Sequence, residues 1–212
     1  MAAVTAQPLD AQLKRVEKKL LAARKHDRGC RNFGAGKHGY RLGPPLSVSR
    51  IAAFEVESGV ALPEDFRRFV TEVGNGGAGP AYGWPDFHPE LTLYREPPWR
   101  LPFEAPREDD DDDDDYELTG YIEMSEHGCG IFDFLVVSGA ERGNVWFSDD
   151  GGGLYPLPGR DWDSHAGLPL DFSSSVVWRQ RLGDPANTSR LSFLDYFEGW
   201  LDGVLASAPG VA

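Results

Sequence analysis

The sequence predicts an α+β fold in which helices flank a mainly antiparallel sheet. Apolar residues recur at helical spacing in the first third of the 212-residue chain and again close to its end, whereas short strand-like runs separated by turn residues follow residue 120. Because helices and strands are segregated along the chain, alternating βαβ units are not expected. We expect a single domain over residues 1–212 with a Pro-rich and poly-Asp insert, expected to be disordered, at 95–117.

The first predicted helix is amphipathic, with an apolar stripe at Leu9, Leu13, Val16 and Leu20 and charged residues between. The next stretch, 28–47, is rich in glycine and has two consecutive prolines, Pro44 and Pro45, close to its end. We interpret it as an ordered loop that buries Phe33 and Tyr40.

Three further helices are predicted from their terminal residues. Ser47 is a suitable N-cap for a helix that ends near Gly59. Pro63 suits the first helical position of the next helix, and Gly74 lies where a C-terminal glycine cap belongs. Ser192 caps the last helix.

The predicted strands begin with residues 121–124. The nearly continuous apolar run 131–137 is typical of a central strand that is buried on both faces. The turn after it returns the chain, so 131–148 is a predicted hairpin, and 154–158 adds a short strand.

The glycine-rich stretch EVGNGGAGPAYGW, residues 72–84, contains the pattern G-x-G-x-x-G at Gly74, Gly76 and Gly79. A dinucleotide-binding turn carries these glycines after a strand and before a helix, because the helix N-terminus receives the pyrophosphate. Here they follow a predicted helix. We therefore interpret the stretch as a helix terminator and tight turn, and expect no nucleotide or other cofactor.

The chain carries a formal net charge of −13, and eight consecutive acidic residues contribute most of it: Glu108, Asp109, Asp110, Asp111, Asp112, Asp113, Asp114 and Asp115. Such a surface repels phosphate backbones, so direct nucleic-acid binding is not expected, whereas a basic protein partner is attracted. We expect the acidic run to form the contact surface together with the exposed aromatics Trp84 and Trp99. No apolar stretch is long enough to span a membrane, and the two cysteines are too few for a disulfide framework, so a cytoplasmic location is expected.

Catalytic and metal-binding alternatives find little support in the residue pattern. His26, Cys30, His127 and Cys129 could ligate zinc, but their spacing matches no common zinc site. A nucleophilic pair of His127 and Cys129 lacks a third orienting residue. The aspartates at 149–150 and 161–163 lack the ligand spacing of a calcium loop. We expect no metal and no catalytic residue, and expect Cys129 to pack in the sheet between two glycines.

Four segments together resemble the SUKH superfamily: FGAGKHGYRLGPPLS (33–47), FEVESGVALPEDFRRFVTEVGNGGAGPAYGW (54–84), HGCGIFDFLVVSGAERGNVWFSDD (127–150) and SFLDYFEGWLD (192–202). The resemblance implies architectural roles for the residues that carry it: Pro63, Gly74, Asn75, Gly76, Gly77, Gly79, Pro80, Gly128, Cys129 and Gly130.

The same resemblance implies a function without catalysis. Bacterial members of the superfamily are immunity proteins that bind toxins, and fungal members are regulators of cell-wall synthesis. We therefore expect a protein that binds and neutralises a cognate toxin, which can be a basic nuclease. The alternative is a regulatory or scaffold module without a toxin partner. The sequence assigns no oligomeric state.

Overall fold

The computed structural model describes residues 9–89, 103–104, 119–149, 153–157 and 190–207, and within them the chain has the expected α+β fold. The helices are α1 (Leu9–His26), α2 (Ala35–His38), α3 (Val48–Ser58), α4 (Glu64–Glu72) and α5 (Phe193–Ala206). The strands are β1 (Leu42–Gly43), β2 (Asn75–Gly77), β3 (Tyr121–Gly128), β4 (Ile131–Val136), β5 (Val145–Ser148) and β6 (Leu154–Pro156). They form two antiparallel sheets: β1 pairs with β2, and the larger sheet has the order β3-β4-β5-β6.

The predicted helix ends are largely confirmed. Ser47 caps α3 by accepting a hydrogen bond from the Arg50 N–H, and Gly59 ends that helix with a φ of 69°. Ser192 caps α5 in the same way through the Asp195 N–H. The loop 28–47 additionally contains the short helix α2, which the sequence did not predict.

The two ends of α4 differ from the prediction in detail. Pro63 is the N-cap rather than the first helical residue, because its ψ of 135° is extended and the helix begins at Glu64. Gly74 follows the helix but does not adopt the left-handed conformation of a glycine cap. Glycine is required there for packing, since a Cβ atom would lie 2.6 Å from the Leu42 Cβ.

The larger sheet is an antiparallel meander with β4 in its interior, and the predicted hairpin corresponds to β4 and β5. One face contributes Leu135, Val145 and Phe147 to the main hydrophobic core, where side chains from all four longer helices meet them. The opposite face carries a second apolar cluster of Phe134, Val136 and Trp146. The continuous apolar pattern of β4 is thus explained by burial on both faces.

Phe103 covers this second face, which corrects the expectation that the whole insert at 95–117 is disordered. Its ring lies 4.8 Å from the Trp146 ring, between centroids, and its side chain is buried. Its backbone also forms a parallel bridge with Gly139. Apart from residues 103 and 104, the predicted insert lies outside the described residues, as does 158–189.

The first and last described helices pack against each other through a charged contact, here called the α1–α5 contact. Arg15 Nε donates to the buried Glu198 carboxylate at 2.9 Å, and Lys19 Nζ lies 2.9 Å from the same group. Gln12 adds a longer hydrogen bond of 3.4 Å. Glu198 is therefore surrounded by donors from α1, which offsets the cost of burying its charge. In the part of the chain that the structure describes, no helix is long and apolar enough to cross a membrane.

Candidate functional site

The glycine-rich stretch closes α4 onto the small sheet. After Gly74, β2 pairs with β1, and Gly77 then exchanges both backbone hydrogen bonds with Trp84 at 2.9 and 3.2 Å. Gly76 has a φ of 68°, and a Cβ atom there would lie 2.7 Å from the Asp86 Cα. These close backbone approaches leave no room for side chains. The stretch is thus a helix exit and tight turn, as expected.

Asn75 fixes the segment that follows this stretch. Its side-chain Nδ2 donates to the Phe87 carbonyl at 3.1 Å, and its Oδ1 accepts from the Phe87 N–H at 3.0 Å. The amide thereby satisfies two buried backbone groups that lie outside regular secondary structure. The residues from Asn75 to Phe87 consequently form a closed loop whose tip is the turn from Pro80 to Gly83, with its Gly83 N–H···O=C Pro80 bond of 2.9 Å.

The predicted burial is wrong for two aromatic residues: the one expected to be exposed is buried, and the one expected to be buried is exposed. Trp84, expected to be an exposed contact residue, is 5% exposed and packs on Phe66 and Phe69 in the core. Phe33, expected to be buried, is 54% exposed, whereas Tyr40 is buried as expected. Trp84 is buried because its backbone bridge to Gly77 turns the residue into the small sheet rather than into the loop tip. The other expected contact residues, Trp99 and Glu108 to Asp115, lie outside the described residues.

An exposed aromatic pair lies at the tip of the closed loop. Tyr82 occupies the Pro80–Gly83 turn, and its ring centroid lies 5.1 Å from that of Phe33. The Tyr82 N–H donates to the Glu126 carbonyl of β3 at 3.1 Å, so the turn is fixed to the larger sheet. Tyr82 is therefore held on an anchored backbone, and both rings of the pair are exposed to solvent.

A groove begins beside the aromatic pair, with a volume of about 490 Å³. We call it the glycine-loop groove. Its charged lining residues are Lys37, Arg41, Glu123 and Glu126, all exposed, and Gly43, Gly77 and Gly83 supply backbone to its walls. Lys37 Nζ lies 5.9 Å from the centroid of the Tyr82 ring, within the distance of a cation–π contact.

His38 and Tyr40 form the inner part of this region. The Tyr40 N–H donates to His38 Nδ1 at 3.0 Å, and the Tyr40 hydroxyl donates to the Asp27 carboxylate at 2.7 Å. Burial lowers the pKa of His38, which therefore remains neutral to lower pH than an exposed histidine. The exposed charged side chains of the groove are thus those of lysine, arginine and glutamate residues.

The β3–β4 turn contradicts the expected position of Cys129. Gly128, Cys129 and Gly130 all have positive φ angles, and Cys129 is exposed in this turn rather than packed in the sheet. Gly128 lies close to the Tyr82 ring, since a Cβ atom there would be 3.5 Å from Cε2. The turn therefore borders the same surface as the aromatic pair.

His127 points away from this turn. Its Nε2 lies 2.8 Å from the fully buried Asp133 carboxylate, which also accepts a 2.6 Å hydrogen bond from the Tyr196 hydroxyl. The Tyr196 hydroxyl oxygen in addition lies 2.8 Å from the Ser125 hydroxyl, from which it accepts, and burial raises the pKa of Tyr196 well above the usual value. The contact joins the sheet to α5 and engages the His127 ring nitrogen with Asp133 rather than with Cys129.

The zinc and calcium alternatives gain no geometric support. His26 Nε2 lies 2.8 Å from the Ser207 carbonyl oxygen at the end of α5. Asp149 accepts the Gly153 N–H at 2.8 Å, and Asp150, Asp161 and Asp163 lie outside the described residues. Across the described ranges, no three His, Cys, Asp or Glu residues are grouped so that they could hold a metal ion.

The fold thus defines an α+β protein with an exposed aromatic pair beside a groove of mixed charge. Comparisons of the chain with protein-family models, curated proteins and solved structures found no match.

The sequence reasoning missed the residues that build this surface: Phe33, Lys37, Arg41, Tyr82, Glu123 and Glu126. One signal was available for Tyr82. Proline and glycine three positions apart, at Pro80 and Gly83, are typical of a four-residue turn, and the central residues of such a turn are usually exposed. No comparable signal marks Phe33.

Proposed function

We propose that this chain is a non-enzymatic protein-binding domain, and that it is an immunity protein that binds and neutralises a cognate toxin. The observation that carries the protein-binding part is the exposed pair of Phe33 and Tyr82 beside the glycine-loop groove. A few residues supply most of the binding energy in protein interfaces, and aromatic side chains are enriched at interfaces and among these residues. The toxin-binding part rests on the resemblance to the SUKH superfamily.

The net charge of −13 favours a basic partner. An acidic protein attracts such a partner during diffusional encounter and can occupy a surface that the partner would otherwise present to nucleic acid. Binding of this kind requires no catalytic group on this chain. The inhibition would be steric and electrostatic. The rate at which this chain associates with the toxin should fall as salt screens the charges.

A capture experiment with matched variants tests this function. The full chain is used as bait on the lysate and secretome of its own cell, at low and at moderate salt. The wild type is compared with a Phe33→Ser, Tyr82→Ser double variant and with Val56→Ser, which removes an 82% exposed apolar side chain from α3. Each captured protein is then expressed alone and together with this chain to measure growth of the host.

A cognate toxin should be retained by the wild type and by Val56→Ser, and should bind the double variant about 30-fold or more weakly, because loss of the two aromatic rings should cost roughly 2 kcal/mol or more in total. Its growth inhibition should be relieved by co-expression of this chain. A captured partner that is not toxic would contradict the immunity function and favour the scaffold alternative. A partner that binds the Phe33→Ser, Tyr82→Ser variant as tightly as the wild type would contradict the assignment of the binding surface.

A further inference from the structure

The glycine-loop groove holds charged side chains that have no ion pair among the described residues. Lys37 contacts the Tyr82 ring at 5.9 Å and has no carboxylate within ion-pair distance in the ranges described. Glu126 likewise forms no ion pair there, although its backbone carbonyl accepts the Tyr82 N–H. An aromatic ring and an available carboxylate are therefore neighbours at one end of the groove.

A ring face beside a carboxylate is a chemical arrangement that attracts cations. The ring supplies its negative quadrupole and the carboxylate supplies a hydrogen-bonding anion. Lys37 already occupies the ring from within the chain, but an exposed cation–π contact without a carboxylate partner is weak. A second cation that reaches both the ring and Glu126 would make two favourable contacts where Lys37 makes one.

We propose that this end of the groove binds an arginine side chain from the partner. Its guanidinium replaces Lys37 at the face of the Tyr82 ring and forms an ion pair with the Glu126 carboxylate. Arginine fits better than lysine because its planar guanidinium can stack on a ring and bind a carboxylate through two hydrogens. The groove volume of about 490 Å³ leaves room for one such side chain and its neighbours. This inference rests on the proposed function, since it names the chemistry that the partner presents.

Arg41 also lines the groove and opposes a second cation. It adjoins β1, whereas Glu126 belongs to β3 together with Glu123, which adds negative charge on the same wall. The incoming arginine is therefore expected on the β3 side, and a change at Lys37 should affect its binding more directly than a change elsewhere on the surface.

The test uses the full chain labelled with ¹⁵N and two small probes at constant ionic strength. Nα-acetyl-arginine amide is compared with Nα-acetyl-citrulline amide, which has nearly the same shape without the charge. The arginine probe should produce saturable amide shifts around residues 82, 126 and 128. Citrulline should bind about tenfold more weakly, because both the ion pair and the cation–π contact are lost.

Three variants give effects of different sign. Glu126→Gln should weaken arginine binding about two- to fivefold, whereas Lys37→Met should strengthen it by a similar factor because the internal competitor is removed. Glu64→Gln, which removes an exposed charge from α4, is the matched control and should leave binding unchanged. The inference would be overturned by any of three results. The arginine probe could bind Lys37→Met more weakly than the wild type, the arginine and citrulline probes could bind equally, or the amide shifts could lie outside the groove.

Failure of this inference is distinguishable from failure of the proposed function, because the probes need no partner. A toxin that depends on Phe33 and Tyr82 while the arginine probe does not bind would refute only the arginine site. An arginine probe that binds as described while no toxin is captured would refute only the immunity function.

Discussion

The α1–α5 contact and the glycine-loop groove contain the same kinds of charged side chains in opposite situations. At the contact, the buried Glu198 carboxylate is bound by Arg15 and Lys19. In the groove, Lys37 and Glu126 are exposed and have no ion pair in the described part of the chain. Charges that are buried and paired hold elements together, whereas exposed charges that lack a partner within the fold cost little and are available for binding.

The substitution Glu198→Ala gives the largest expected effect and tests whether the buried charges of the α1–α5 contact stabilise the fold. The substitution removes the buried carboxylate that Arg15 and Lys19 share, although Lys19 keeps its ion pair with Asp202. We expect a loss of about 3 kcal/mol in the free energy of unfolding. The partial exposure of Arg15 and Lys19 keeps the loss at the lower end of the usual range for buried pairs. Urea denaturation monitored by tryptophan fluorescence measures it.

The matched change in the groove is Glu126→Gln, which should alter the free energy of unfolding by no more than about 0.5 kcal/mol. Equal losses at Glu198 and Glu126 would show that the groove charges are also structural, and the comparison would fail.

A second, smaller effect is expected from Gly76→Ala. Gly76 has a left-handed φ and its added Cβ would meet the Asp86 backbone, so we expect a loss of about 2 kcal/mol or more. Gly39→Ala is the control, because Gly39 also has a positive φ, of 55°, but nothing lies within 4 Å of its Cβ position. Its loss should be about 1 kcal/mol.

Both variants carry the conformational strain of a positive φ, but only Gly76→Ala also brings a Cβ atom against another backbone segment. The difference between their thermal unfolding temperatures therefore measures the cost of that close approach. If the two variants unfold at the same temperature, the glycine-rich stretch is less tightly packed than described, and the rigid presentation of Tyr82 loses its basis.

A third effect, smaller than those at Glu198 and Gly76, concerns Asp27, a buried carboxylate without an ion pair in the described residues. Burial acts to raise its pKa, but hydrogen bonds from the Arg31 N–H, Tyr40 hydroxyl and Asn32 outweigh burial and hold the pKa well below the usual range. A pKa that is lower in the folded state stabilises the protein above the unfolded-state value of about 3.9. This stabilisation is lost as the pH falls from about 4 towards the folded-state pKa.

Asp27→Asn should therefore lower the free energy of unfolding by about 1 kcal/mol at pH 7, with a difference from wild type that shrinks below pH 4. Burial raises the pKa of Asp65, which works in the opposite sense, so the difference between variant and wild type is the informative quantity. Urea denaturation between pH 2 and 7 measures it, and a constant difference across that range would contradict the assignment.

The elements that the sequence predicts well are those whose signal is local. The stripe of α1, the serine caps of α3 and α5, and the β4–β5 hairpin follow from spacing, capping chemistry and turn residues. Aromatic residues in loops were less predictable, because their burial depends on distant partners. Trp84 is buried by its bridge to Gly77, and Phe33 is exposed beside Tyr82, 49 positions further along the chain.

The candidate site was less predictable than the fold for the same reason. Lys37, Tyr82 and Glu126 come from α2, a loop and β3, and only the folded chain brings them to one groove. The sequence did show the acidic charge of the chain, whose contact role remains a prediction. Cys129 was misplaced because its alternation with His127 suggested a strand, whereas its neighbouring glycines form a turn.

The α1–α5 contact has a consequence for synthesis of the chain on the ribosome. Arg15 and Glu198 are 183 residues apart, and α5 also supplies Phe193, Phe197 and Leu201 to the main core. The core therefore stays open towards α5 until that helix has left the exit tunnel, and Arg15 and Lys19 lack the Glu198 carboxylate until then. A nascent chain that lacks α5 would expose apolar surface to chaperones, and this domain should complete its folding only after α5 has emerged from the tunnel.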